Sequence, residues 1–185
     1  YLVSGVLFIL ATLTGALLAT PLTPALTGVD TLVRFSEHTN QTTGSVLLWI
    51  ISTFTGCDIA IALYPILKER NVGLALGSVV FRAVEAGFYM VGIVCLLSLL
   101  TLGQQFTTAG AADRATLQAI GNLLVSVYAH AGLVAVFAFC VGAFMYYTLL
   151  FQTRLVPRWL AGFGVVAIIL MLTTYILALF NDNQI

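Results

Sequence analysis

Apolar and polar positions fall along this chain in long blocks, not in the short amphipathic periods of a water-soluble fold. A helix that crosses a bilayer needs about 20 predominantly apolar residues. Five runs meet that length, at residues 2–20, 45–67, 73–102, 120–151 and 158–180, with the fourth lying within Leu117–Phe151. Polar punctuation separates them. Pro21 and Pro24 stop the first, Lys68-Glu69-Arg70-Asn71 turns the second into the third, and Arg154 to Pro157 precedes the fifth. The third and fourth runs are longer than a hydrocarbon core of about 30 Å requires, so they are expected to tilt or to project beyond it. The first run has neither the basic n-region nor the small-residue cleavage site of a signal peptide. The predicted fold class is all-α: a polytopic transmembrane helix bundle with five visible spans, forming one domain over residues 1–185.

Two connections are long enough to carry structure. In Pro21–Gly44, Thr27 and Asp30 offer a capping box before Leu32 and Val33, so either a short helix lying on the membrane surface or a plain loop is expected. Asn40-Gln41-Thr42 in that connection matches a glycosylation acceptor, a pattern that is silent in a bacterial protein. Gly103–Arg114 reads as a loop whose end, Ala111-Ala112-Asp113, leads into the fourth span.

Composition agrees with lipid as the solvent. Hydrophobic residues make up 61% of the 185 and charged residues only 8%, with a mean hydropathy of +1.08. A soluble domain carries about 25% charged residues. Seven basic and seven acidic residues cancel, which leaves no basic field for nucleic acid. The expected partners are the lipid bilayer and another membrane protein or a second copy. Lys68, Arg70, Arg154 and Arg158 fall in loops on one side, Arg34 and Arg114 on the other. The positive-inside rule then predicts a cell-membrane protein with a cytoplasmic N-terminus. Trp49 and Trp159 sit at opposite ends of their spans, as an aromatic belt requires.

Asp58, Arg82, Glu85 and His130 are the ionisable groups inside the predicted spans. Charges in hydrocarbon are expensive, so they are expected to face the bundle interior and pair. Asp58 lies twelve residues before Arg70 and Arg82 twelve after it. At 1.5 Å per residue both stand roughly 18 Å from the turn, so they share a depth. Ser78, Arg82, Glu85 and Tyr89 are spaced four, three and four and form one stripe. Ala83 and Gly87 beside it make a small-xxx-small pair suited to close helix contact. The expected site is thus a buried ion cluster of Asp58, Arg82 and Glu85. Two carboxylates around one guanidinium leave one negative charge, to be offset by a proton or by a donor such as Tyr64, Tyr89, a water or His130. Ser78, Tyr89 and His130 are the expected relay or ligand contacts. A register-fixing clamp between helices and a proton or substrate site are both open at this point. On the fourth span Asn122, Ser126 and His130 share a face, where a hydrogen-bonded core histidine and a relay are the two readings.

No catalytic residue, cofactor or metal is expected. Cys57, Cys95 and Cys140 lie at different depths without a CxxC, which argues against disulfides. One histidine in a span and one, His38, in a loop do not make a bis-His haem or a His-rich metal site. Thr55-Gly56-Cys57-Asp58 lacks the second glycine and the partner aspartate of the aspartyl intramembrane protease motif. No nucleophile elbow and no phosphate loop are present.

Leu63-Tyr64-Pro65-Ile66-Leu67-Lys68, Gly73-Leu74-Ala75-Leu76-Gly77 and Phe81-Arg82-Ala83-Val84-Glu85-Ala86 resemble one bacterial multi-pass family, catalogued as domain of unknown function 4386. Arg154-Leu155-Val156-Pro157-Arg158-Trp159-Leu160, with Gly162 and Gly164, is similar to that family's second signature. The resemblance covers essentially the whole chain. It implies a short N-terminal lead, a sixth apolar span after the fifth, and both termini inside, so the chain looks trimmed at both ends. It implies no activity. Three function classes follow: a non-catalytic accessory or structural subunit of a larger membrane complex, foremost because catalytic constellations are lacking; a small proton-coupled transporter using Asp58, Arg82 and Glu85; and a membrane enzyme or lipid-binding sensor near His130 and Tyr128.

Overall fold

The computed structural model describes residues 31–181. Regular structure there consists of five helices: α1 (Thr31–Glu37), α2 (Thr39–Leu67), α3 (Val72–Thr108), α4 (Ala111–Thr153) and α5 (Arg158–Asn181). Among the described residues, four segments are long and apolar enough to cross a membrane: α2, α3, Asp113–Thr153 of α4 and Arg158–Leu177 of α5. The five expected spans are therefore four within this region. The run at 2–20 lies outside the described residues, as do Thr27 and Asp30 of the expected capping box.

The helices reach further than the apolar runs do. α2 starts at Thr39 where residue 45 was expected, because its polar side chains bond to their own helix. Thr43 donates to the Thr39 carbonyl at 2.9 Å and Ser45 to that of Gln41 at 3.0 Å. Thr42 is fully buried, so the Asn40-Gln41-Thr42 acceptor pattern is not an open loop. The loop expected over 103–114 shrinks to Ala109 and Gly110 for the same reason: Thr107 and Thr108 donate to the carbonyls of Gln104 and Gln105. Asp113 falls in the first turn of α4, where a carboxylate is favourable to the helix dipole. Of the two expectations for this stretch, a short helix forms, α1, and it is packed against α3. Leu32 and Phe35 are buried in a cluster with Leu96, Leu99 and Leu100 of α3.

The short connections force antiparallel neighbours. Between α2 and α3, Asn71 adopts extended backbone and its side chain accepts from the Leu74 amide at 3.0 Å, an N-cap. Between α4 and α5, Arg154 takes the left-handed conformation at φ 54° and ends α4. Both turns lie at one end of the bundle, where Leu67, Ala75, Leu149, Leu150 and Ala161 pack together. α1 packs at the opposite end, beside the last turns of α3.

α3 is the centre of the arrangement. α2 and α4 both pack along it, α5 packs on α4, and α2 and α4 make little contact with each other. Two glycines permit close approaches between helices. A Cβ at Gly142 would stand 2.9 Å from the Phe81 Cβ, which brings the α4 backbone against the Ser78–Arg82 turn of α3. A Cβ at Gly103 would stand 2.6 Å from the Leu32 carbonyl oxygen and 3.2 Å from the Ser36 nitrogen, both backbone atoms of α1. Gly103→Ala is therefore expected to drive α1 off α3 at a cost of about 1–3 kcal/mol. Thermal unfolding in nanodiscs, with amide exchange of residues 31–37, measures it. Gly87→Ala, whose Cβ meets nothing within 4 Å, is the control and is expected to be neutral or mildly stabilising.

Candidate functional site

The gap between α2 and α4, with α3 behind it, is a cavity of about 310 Å³. Ser78, Arg82, Glu85 and Tyr89 all line it from α3. Gly56, Cys57 and Ala60 contribute from α2, and Phe139, Gly142 and Tyr146 from α4. On the α2 side the gap persists because Gly56, Cys57 and Ala60, opposite the long α3 side chains, are small. A Cβ at Gly56 would lie 3.8 Å from the nearest Arg82 guanidinium nitrogen.

Arg82 and Glu85 form the one ion pair among the described residues. A single guanidinium nitrogen, Nη1, donates to Glu85 Oε2 at 2.9 Å and to Oε1 at 3.2 Å. Three residues apart on one helix, the two side chains meet without help from a neighbour. The guanidinium carbon also sits 4.7 Å from the centre of the Phe139 ring on α4, a cation–π contact. Arg82 keeps 30% of its side-chain surface accessible and Glu85 10%. The Arg82 Nε and Nη2 hydrogens have no acceptor among the described residues. A guanidinium carries five N–H donors in a fixed fork, so Arg82, which lines the cavity, keeps donors that no described residue uses. Ser78 donates to the carbonyl of Ala75 at 2.8 Å, within its own helix.

Asp58 does not join the cluster. The depth arithmetic holds, since the residues of α2 level with Arg82 are Gly56 and Cys57, and the Cys57 thiol donates to the Arg82 carbonyl at 3.4 Å. Asp58 is one residue further round the helix, about 100° away, and is exposed on the outer side of α2 without an ion pair among the described residues. His130 is also outside the cluster. It is exposed on α4, with Nδ1 2.7 Å from the Ser126 carbonyl, a contact in which the ring donates. The expected contact face of Ala83 and Gly87 points outward instead, and α3 meets α4 through Gly142.

Sequence reasoning missed a second cavity of about 330 Å³. Gly92 and Leu96 of α3, Tyr128, Gly132 and Val136 of α4 and Tyr175 of α5 line it. Its signal was the four-residue spacing of Tyr128, Gly132 and Val136, a stripe of two bulky residues around one empty position. Trp49 and Tyr89 line both cavities, with ring centres 5.4 Å apart. No group of three or more His, Cys, Asp or Glu able to hold a metal ion occurs among the described residues.

Among known families, the profile of Domain of unknown function (DUF4386) matches residues 3–184. No curated protein matches the chain. No solved structure matches it either.

Removing one partner of a buried pair leaves the other charge uncompensated in the membrane. Arg82→Leu is expected to destabilise the bundle by about 3 kcal/mol, and Arg82→Leu with Glu85→Leu to recover most of that loss. Asp58→Leu, which replaces an outward-facing intramembrane carboxylate by an apolar side chain, is expected not to destabilise the bundle. Reversible unfolding in mixed micelles compares the three.

Proposed function

The chain belongs to the DUF4386 family, and we propose that this integral membrane protein binds a small organic anion inside its bundle, together with one proton, as a carrier of that molecule. The observation that supports the reading is the half-used Arg82 fork, which opens into a cavity large enough for a ligand. Arg is suited to planar, bidentate capture of carboxylate or phosphate. The volume lies at the lower end of the roughly 300–1,000 Å³ typical of ligand pockets.

Charge counting supplies the proton. Arg82 and Glu85 together are neutral, so an anionic guest leaves one net negative charge in a medium where that is costly. One proton taken up with the guest restores neutrality, and Glu85 is the group placed to carry it. The other titratable groups near Glu85 are Cys57 of α2, Arg82 and Tyr89 of α3 and Cys140 of α4, with Tyr146 of α4 lining the same cavity. Affinity then rises as pH falls, for as long as the guest stays ionised. Glu85→Gln leaves a lone cation, which binds the anion without the pH dependence.

A second reading, a subunit that docks on another membrane protein or on a second copy, is favoured by one observation. Asp58 stands on the exposed side of α2 in a row with Leu47, Ile51, Phe54 and Ile61, and an intramembrane carboxylate calls for a partner. The positive-inside count, four basic residues at the two tight turns against two at the other end, supports a cytoplasmic position for those turns in the cell membrane.

Native mass spectrometry of gently extracted protein tests both readings. A retained small anion, lost in Arg82→Gln and kept in Asp58→Leu, is the expected result. A partner chain at fixed ratio, lost in Asp58→Leu, supports the subunit reading instead. For the orientation, Glu69→Cys is expected to resist a membrane-impermeant thiol reagent applied to intact cells, and Arg114→Cys to react with it.

A further inference from the structure

The two cavities are neighbours with opposite character. The first presents Arg82 and Glu85. The second is lined by Phe88, Gly92, Leu96, Gly132, Leu133 and Val136, with Tyr128 and Tyr175 as its polar rim. Nothing charged lines the second cavity. Trp49 and Tyr89 form the wall common to both, and their rings meet at a tilted 43°. Both residues line each cavity and stay partly exposed, so their side chains offer surface to a chain that reaches from one cavity to the other.

We infer that the two cavities form one amphipathic site for a single-chain amphiphile with an anionic head: the head on the free Arg82 fork, the chain past Trp49 and Tyr89, and the tail in the Gly92–Tyr128–Gly132 cavity. This rests on the anion-binding reading of Arg82 and adds the class of molecule. A small hydrophilic anion would use the first cavity and leave the second without a role. A wholly apolar molecule would use the second and leave the guanidinium donors unmet. A chain with a charged end satisfies both at once. Free acid and phosphate ester heads share the chemistry that the fork recognises.

Gly132 makes the inference testable. A Cβ there meets nothing within 4 Å, so a larger side chain has room to grow from the helix without moving it. Gly132→Leu therefore fills the tail cavity, and Gly132→Ala serves as the variant that removes the glycine but leaves the space.

The experiment is photolabelling of the full chain in nanodiscs. One probe is dodecanoate with a diazirine at the tail end, and the other is butyrate with a diazirine beside its carboxylate. The long probe is expected to label residues that line the second cavity, Tyr128, Leu133 and Val136 or Phe88 and Leu96, with competition by unlabelled dodecanoate. That labelling should fall about tenfold or more in Arg82→Gln, where a charge-assisted contact is lost. It should fall likewise in Gly132→Leu, while Gly132→Ala keeps it. The short probe is expected to label residues 56–60 or 139–146 equally in wild type and Gly132→Leu, and to depend on Arg82. If the short probe behaves so but the long one labels only lipid-facing positions such as Leu123 and Val134, the amphiphile inference falls and anion binding stands. If neither probe labels in an Arg82-dependent way, both fall. Competition by dodecyl phosphate against dodecanoate tells which head the site takes.

Discussion

A guanidinium in hydrocarbon must have a counter-charge within reach, and α3 supplies its own one turn away. Because Arg82 and Glu85 neutralise each other along a single helix, no neighbouring helix has to contribute a charge. α2 and α4 are then free to approach α3 through small residues and to stay apart from each other. The cavity follows from that freedom.

The same pair governs what the gap is able to hold. One guanidinium nitrogen is committed to Glu85 and the ring of Phe139 covers part of the group, which leaves the Nε and Nη2 donors without an acceptor among the described residues. A neutral ion pair is stable when the cavity is empty, yet it keeps donors for a guest. Trp49 and Tyr89 stand where the polar space gives way to the apolar one. They are residues whose rings suit both environments. A charged end and a greasy end thus lie side by side within one bundle.

The packing of α1 shows how a polar stretch is misread. Thr39, Thr43 and Ser45 look like loop residues, but hydroxyls that bond to a carbonyl one turn back do not break a helix. The segment after Glu37 therefore continues as α2, and the short helix before it sits on α3 as part of the core at the far end from the tight turns. At the other polar stretch, Gln104 to Thr108 are absorbed into α3 by the same bonding.

Much of this protein was legible in its residues. The apolar runs, the turns at Lys68–Asn71 and Arg154–Pro157, and the stripe of Ser78, Arg82, Glu85 and Tyr89 all follow from helix rise and period, which are properties of a single helix. Rise also put α2 and α3 at the right relative height. What it did not supply was rotation. Whether Cys57 or Asp58 faces Arg82 turns on about 100° of azimuth, and azimuth is decided by how three helices pack against one another, at Gly142 and along the small residues of α2. The outward position of His130 and the apolar cavity beneath Tyr128 have the same origin. Cavities belong to the spaces between helices, and a space between helices is a property of the assembled bundle, not of any one segment of the chain.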